Sequence, residues 1–176
     1  MALRVDRFVV AVAGLTLLAL AIRIVVTLTT YADLDLGFSD NTFYHQQANL
    51  LADGQGFIDP FRLRNGLVAP TAAHPPVYSL YLAGWSLVGF DGILDHRIAS
   101  TIPSALVVPV IAVTARWMAG RTAGIIAAAL AALHPALWIN DGLILSESVY
   151  VLTIALVLLA AQAMFVSPRP LTAGLL

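Results

Sequence analysis

The chain has 176 residues, of which 60% are hydrophobic and only 11% are charged, with a formal net charge of −1 at pH 7. Soluble domains are about 45–50% apolar and about 25% charged, so this composition disfavours a soluble enzyme, and it also excludes intrinsic disorder and a basic nucleic-acid-binding surface. With no cysteine, disulfides, thiolate nucleophiles and cysteine-ligated metals are excluded, and the composition predicts an all-α integral membrane protein in the lipid bilayer.

Four segments are apolar and long enough to cross a bilayer, which takes about 17–25 helical residues. They cover about residues 8–30, 98–115, 122–139 and 146–166. The first segment exceeds the apolar core of a signal peptide, so we interpret it as a retained anchor, and Arg23 within it is expected to snorkel or to pair with an outer acid. The sequence therefore predicts about four transmembrane helices in a single membrane domain, residues 1–176.

A long loop, residues 31–97, connects the first two spans and is predicted to contain two interfacial helices, at about 40–53 and 76–90. The stretch from Val77 to Phe90 is too short for a span, and its aromatic residues suit the headgroup level. If this stretch crossed the membrane, Arg116 and Arg121 would move outside and the arginine bias would be lost. We therefore expect a multi-pass protein of the cell membrane, with a cytoplasmic N terminus and the loop on the outer face.

The first interfacial helix carries two candidate site residues. Ser39 and Asp40 are good helix N-cap residues, and Gly54 and Gly56 end the helical pattern. Tyr44, one turn after Asp40, shares its helix face. Asp40 is either a simple cap or a reactive carboxylate held at a helix start on the membrane surface.

The second interfacial helix is preceded by His74, which two following prolines hold in an extended conformation. A histidine here is suited to hydrogen-bond a phosphate or a sugar hydroxyl. The alternative is an interface histidine that binds no ligand.

The connection between the third and fourth spans carries Ser146, a candidate cap, and Glu147 in the first helical turn. A carboxylate there is favoured by the helix dipole, so a terminal cap is one interpretation. An acidic residue at membrane depth is nevertheless a functional hypothesis by default. We expect Asp40 and Glu147 to converge across the helix bundle.

Three arginines, Arg62, Arg64 and Arg97, lie on the outer face in this topology. Guanidinium groups bind phosphate through two parallel hydrogen bonds, so these are candidate donor-binding residues. The alternative is that they snorkel or contact anionic headgroups. No cluster of ligands in the sequence indicates a metal, and no cofactor is predicted.

The order of these features resembles the amino-terminal half of the GT-C membrane glycosyltransferases. After a basic N terminus and one span come Asp40 and Tyr44, a Leu-Ala-x-Gly-x-Gly-Phe helix end, His-Pro-Pro, an Arg opening the next span, and Ser-Glu opening the fourth. The similarity covers nearly all of residues 1–166. Among members of the superfamily it is similar to protein O-mannosyltransferase-like and aminoarabinose-transferase-like enzymes of the family 39-like type.

The resemblance implies a hexosyl- or pentosyltransferase that moves a sugar from a polyprenyl-phosphate donor to a protein, lipid or glycan acceptor on the outer face. It implies that Asp40 is the general base, that Glu147 helps to shape the acceptor or donor site, and that His74 lies near the donor phosphate. Some members of the superfamily use a divalent metal. Members are longer than this chain, so we expect an amino-terminal portion whose partner is a carboxy-terminal half completing the donor groove.

Two other functions compete with this interpretation. A non-catalytic membrane module that binds polyprenyl phosphate or a partner membrane protein would keep the same fold. A small transporter or channel subunit is disfavoured because few charges lie inside the spans, where a transport path normally needs them.

Overall fold

A computed structural model describes residues 6–166 of the chain. The α-helices in this range are α1 (Arg7–Val26), α2 (Asp40–Ala52), α3 (Pro60–Arg64), α4 (Pro76–Ser86), α5 (Ile93–Leu133) and α6 (Glu147–Val166). Within the described range three helices are long and apolar enough to cross a membrane: α1 with its π-helical continuation to Tyr31, α5, and α6. The predicted all-α class is confirmed, and the three apolar helices indicate a membrane-associated protein.

The helix ends differ from the expected bounds where proline and capping residues act. The α-helix expected to reach residue 139 ends at Leu133, because Pro135 has no N–H to donate and restricts the residue before it. Short 3-10 turns, Pro135–Leu137 and Asp141–Leu143, follow instead. The unpredicted helix α3 begins where Asp59 accepts hydrogen bonds from the backbone N–H groups of the first turn.

Helix α5 is a hairpin of two arms, residues 93–118 and 121–133, because the backbone between them leaves the helical region. Gly120 has φ 88° and ψ 179°, a conformation that favours glycine. A Cβ added at Gly124 would lie 2.7 Å from the carbonyl oxygen of Ala112, whereas a straight helix would separate these residues by about 18 Å. The described chain therefore contains four apolar helical segments.

We expect Gly124→Ala to destabilise this hairpin. The new methyl group would meet the Ala112 carbonyl at 2.7 Å and the Phe8 ring at 2.8 Å, and overpacking of this kind costs about 1–3 kcal/mol. Thermal unfolding in detergent micelles would measure the loss. Gly14→Ala is the matched control, because nothing lies within 4 Å of its added methyl group; equal midpoints for the two variants would contradict the close helix contact.

The helices enclose two apolar clusters. The inner cluster joins α1 to both arms of α5 through small residues and consists of Phe8, Val12, Ala19, Val108, Ala112, Ala128, Ala131 and Ala132. The outer cluster joins α2 and α4 to the start of α5 and to the turn before α6; it consists of Leu36, Phe43, Tyr44, Ala48, Tyr78, Leu82, Ala83, Ala99 and Ile144. The outer cluster thus forms the base on which the loop residues are displayed.

A buried ion pair joins the C-terminal end of α1 to the turn before α6. The Nε atom of Arg23 lies 3.2 Å from Asp141 Oδ2 and donates to Ser104 Oγ at 3.1 Å. Arg23 also donates to the Ala19 carbonyl oxygen, and Ser104 donates to the carbonyl oxygen of Leu137. Arg23 was expected either to snorkel or to pair with an acid, and in the structure it pairs with Asp141.

Candidate functional site

Asp40 lies at the N terminus of α2, with its carboxylate largely exposed. Ser39 occupies the N-cap position in an extended conformation, and its hydroxyl donates to the Leu36 carbonyl oxygen at 2.8 Å. Asp40 is thus the first residue inside the helix, and its side chain is 67% exposed. A carboxylate in a first helical turn is favoured by the free N–H groups there, and its exposure leaves it accessible to a substrate.

His74 faces Asp40 across the entrance of this region. Its Nε2 atom lies 3.7 Å from Asp40 Oδ1. The imidazole packs against the ring of Phe43, with centroids 4.4 Å apart, and against the ring of Tyr44 at 5.0 Å. Because two aromatic rings hold His74 in place, its position relative to Asp40 is defined by packing rather than by a flexible loop.

Tyr44 is influenced by both acidic candidates. It is buried, and its ring meets the edge of Tyr78 at 4.9 Å. Burial raises the pKa of the Tyr44 phenol, a hydrogen bond with Ser146 opposes the rise, and the Asp40 and Glu147 carboxylates add to it. Tyr44 therefore remains a neutral hydrogen-bond donor at neutral pH, and both carboxylates act on the same phenol.

Glu147 begins α6 and lines a cavity of about 490 Å³ between the start of α4 and α6. The residues that line this cavity are Pro75, Val77, Tyr78, Ser146, Glu147, Val149, Tyr150 and Thr153. The Glu147 end is polar, whereas the remainder is mainly apolar. We call this space the α4–α6 groove; it has the character of a site for an amphipathic ligand.

The turn that positions Glu147 is anchored by a strained residue. Ile144 has φ 55° and ψ 59°, a left-handed conformation, while its side chain is fully buried in the outer cluster. A β-branched residue is an outlier there, and such backbone strain costs about 1–3 kcal/mol and is typical of functional sites. Burial of Ile144 therefore holds the turn before Glu147 in one shape.

The structure brings together four of the seven predicted site residues, Asp40, Tyr44, His74 and Glu147, but not the three arginines. Arg62 is exposed and lies 3.6 Å from Asp59, and the exposed Arg64 borders a separate cavity. Arg97 is fully buried and donates to the carbonyl oxygens of Ala32 and Leu34. Binding of a donor by these arginines remains a prediction, and for Arg97 the geometry indicates that the side chain ties the end of α1 to α5.

Several residues in contact with the site were not singled out from the sequence. Phe43 packs on His74, Ser146 lowers the pKa of the Tyr44 phenol, and Tyr78 and Tyr150 line the α4–α6 groove. Phe43 neighbours Tyr44 in sequence, and Ser146 was expected only as a cap. Their roles follow from contacts between distant segments, for which sequence spacing provides no signal.

Among residues 6–166, no group of three or more His, Cys, Asp or Glu side chains is arranged to hold a metal ion. Comparisons with known proteins add no constraint on the site. No protein-family model matches the chain, and no significant match was found among curated proteins or among solved structures.

Proposed function

We propose that the protein is a membrane glycosyltransferase, or the amino-terminal part of one, that uses a polyprenyl-phosphate-linked sugar. One observation carries the proposal: the Asp40 and Glu147 carboxylates both act on the buried Tyr44 phenol, and Glu147 also lines the α4–α6 groove, whose lining is mainly apolar. Exposed acids beside an amphipathic groove are suited to a substrate with a sugar, a phosphate and a lipid tail. The resemblance to GT-C enzymes supports the same assignment.

The proposed chemistry is a displacement at the anomeric carbon of the sugar. Asp40 accepts the proton of the acceptor hydroxyl, the hydroxyl oxygen bonds to the anomeric carbon, and the bond from that carbon to the phosphate oxygen breaks. A general base must lie about 2.6–3.2 Å from the hydroxyl, and the exposure of Asp40 leaves room for this approach. By analogy with the family, the displacement inverts the configuration at the sugar.

The leaving polyprenyl phosphate carries the electron pair of the broken bond as negative charge. His74, held 3.7 Å from Asp40, is the candidate donor to this charge, and the neutral Tyr44 phenol is a second donor nearby. Donors aimed at developing charge lower a reaction barrier electrostatically. Glu147, across Tyr44, is then available to orient hydroxyls of the sugar or acceptor.

The proposed topology places the site at the outer membrane surface. In it, α1, both arms of α5, and α6 cross the bilayer, which gives four spans. The arginines at the opposite end support this orientation: Arg116 and Arg121 lie 3.9 Å and 3.0 Å from Asp6 beside the α5 hairpin turn. Clusters of arginine are typical of cytoplasmic connections.

The test is binding and turnover of a polyprenyl-phosphate hexose by the protein in lipid nanodiscs. Release of polyprenyl phosphate that depends on an acceptor would support the transferase. Binding without release would favour the alternative, a non-catalytic module that binds polyprenyl phosphate, for which the α4–α6 groove is equally suited. Absence of binding would contradict both functions.

We expect Thr153→Trp to block the donor tail. Thr153 is exposed and lines the groove from α6, so an indole there would fill space that the lipid needs. Donor affinity, measured by titration in nanodiscs, should fall at least about tenfold, the loss expected for about 1.4 kcal/mol of binding free energy. Leu156→Trp, exposed on the same helix and outside the groove lining, is the control; equal affinities in the two variants would place the tail elsewhere.

A further inference from the structure

Two histidines, His45 of α2 and His96 in the first turn of α5, meet with their rings 71° apart. The Nδ1 atom of His45 lies 3.0 Å from the Nδ1 atom of His96. His96 is fully buried, whereas His45 is partly buried. Two imidazole nitrogens at this distance form a hydrogen bond only if one carries a proton and the other does not.

The neighbouring hydrogen bonds determine which ring donates. Asn49 Nδ2 donates to the Asp91 carbonyl oxygen at 3.0 Å, so its Oδ1 faces Ser86 and accepts the Ser86 hydroxyl proton at 2.8 Å. The Ser86 oxygen lies 2.9 Å from His96 Nε2 and must accept from it, because its own proton is already donated. His96 Nδ1 is therefore the bare acceptor, and the proton between the rings belongs to His45.

We propose that this histidine pair is an acid-operated latch, in which a proton added to His96 Nδ1 releases α2 from α4 and α5. With both facing nitrogens protonated, the hydrogen bond is lost, two N–H groups point at each other 3.0 Å apart, and the buried His96 ring carries a positive charge. The latch concerns the site as well as the fold, because α2 carries Asp40 and Tyr44. Release would separate these residues from His74 and Glu147.

The charged groups around His45 and His96 influence how readily the two imidazoles take up a proton. Asp91, before α5, and Asp95, in its first turn, favour protonated imidazoles, whereas Arg97 opposes a charged His45. From α4 the pair meets the uncharged Ser86, and from α2 it meets Asn49. Burial lowers the pKa of His45 below its ordinary value of about 6.5, so the docked state disfavours protons that the released state accepts.

The sign of the pH effect follows from this difference. Docking is at full strength above about pH 6.5 and weakens as the pH falls below that value, because the released state then binds more protons. Between about pH 6.5 and the pKa values of the docked state, a fall of one pH unit lowers the equilibrium constant for docking by up to about tenfold for each proton taken up. The loss is complete only below the pKa values of the docked state.

Amide hydrogen exchange of the protein in nanodiscs tests the latch without any substrate. After correction for intrinsic rates, exchange in residues 40–52 should rise at least about tenfold between pH 7.5 and pH 4.5, while residues 99–115 should change little. In His45→Asn, the amide can turn either its nitrogen or its oxygen toward His96, so the pH response should be clearly smaller than in the wild type. His134→Asn replaces an exposed histidine and should keep the wild-type response.

An unchanged α2 at pH 4.5, or the same response in His45→Asn as in the wild type, would overturn the proposal. If His45→Asn does not fold, ¹⁵N-histidine NMR of the wild type at neutral pH provides the test. One ring should carry its proton on Nδ1 and bond to the Nδ1 atom of another ring. Four rings all protonated on Nε2 would exclude the latch. These readouts do not depend on the proposed transferase activity, so either proposal can fail alone.

Discussion

The Asp40→Asn protein should insert into membranes and bind a polyprenyl-phosphate sugar as the wild type does, yet transfer the sugar about 10²–10⁴-fold more slowly, the usual contribution of a general base. An asparagine keeps the size of the side chain but cannot accept the acceptor proton. Because Asp40 is exposed and Ser39 holds the N-cap position, the change should leave the fold intact. Turnover with saturating donor in nanodiscs is the measurement.

Asp53→Asn is the matched control for this experiment. Asp53 lies at the other end of the same helix and is exposed, so the substitution makes the same chemical change away from His74 and Tyr44. Its turnover should equal that of the wild type. Wild-type turnover by Asp40→Asn would remove the base assignment, and equal losses in both variants would indicate a general effect of charge.

The second large effect is expected from the buried Arg23–Asp141 pair, where Asp141→Asn should destabilise the protein by about 3–5 kcal/mol. The substitution leaves the guanidinium of Arg23 without a counter-charge. Water cannot replace that charge, because Arg23 is only 1% exposed. Leaving one charge of a buried pair uncompensated costs far more than the net contribution of the pair. Denaturant unfolding in mixed micelles would measure the change.

Two further variants separate this mechanism from a general loss of packing. Arg23→Met combined with Asp141→Asn removes both charges and should recover most of the lost stability. Arg62→Ala breaks the exposed contact with Asp59 and should cost no more than about 1 kcal/mol. A double variant as unstable as Asp141→Asn alone would show that charge pairing is not the cause.

The apolar helices and the starts of α2 and α4 could be predicted from the sequence because they depend on local signals. Run length marks the spanning segments, Ser39 marks the start of α2, and the paired prolines mark the start of α4. The reversal at Gly120 could also be placed between two apolar runs. In each case the deciding interactions lie within a few residues along the chain.

The site was only partly predictable because partners distant in sequence decide the use of a polar side chain. From the sequence, Arg97 is either a candidate donor-binding residue or a contact for anionic headgroups, but the carbonyl oxygens of Ala32 and Leu34 accept its hydrogen bonds. The sequence pattern indicates no role for His45, and its contact with His96 joins residues 51 positions apart. Sequence spacing cannot predict this contact, because it forms only when α2 and the start of α5 come together in the folded protein.

The short second arm of α5 also bears on how an acceptor of the proposed transferase could reach the site. Its 13 residues from 121 to 133 extend about 20 Å, whereas the hydrocarbon layer is about 30 Å thick. If this arm crosses, hydrophobic mismatch would thin the bilayer locally or leave the 3-10 turns after His134 inside it. Those turns return most of their N–H groups to their own carbonyl oxygens, as in Trp138 to Pro135 and Asp141 to Trp138, which suits a water-poor layer. In the second case, an acceptor of the proposed transferase would have to be slender or lipid-borne, because a broad folded surface could not descend to Glu147.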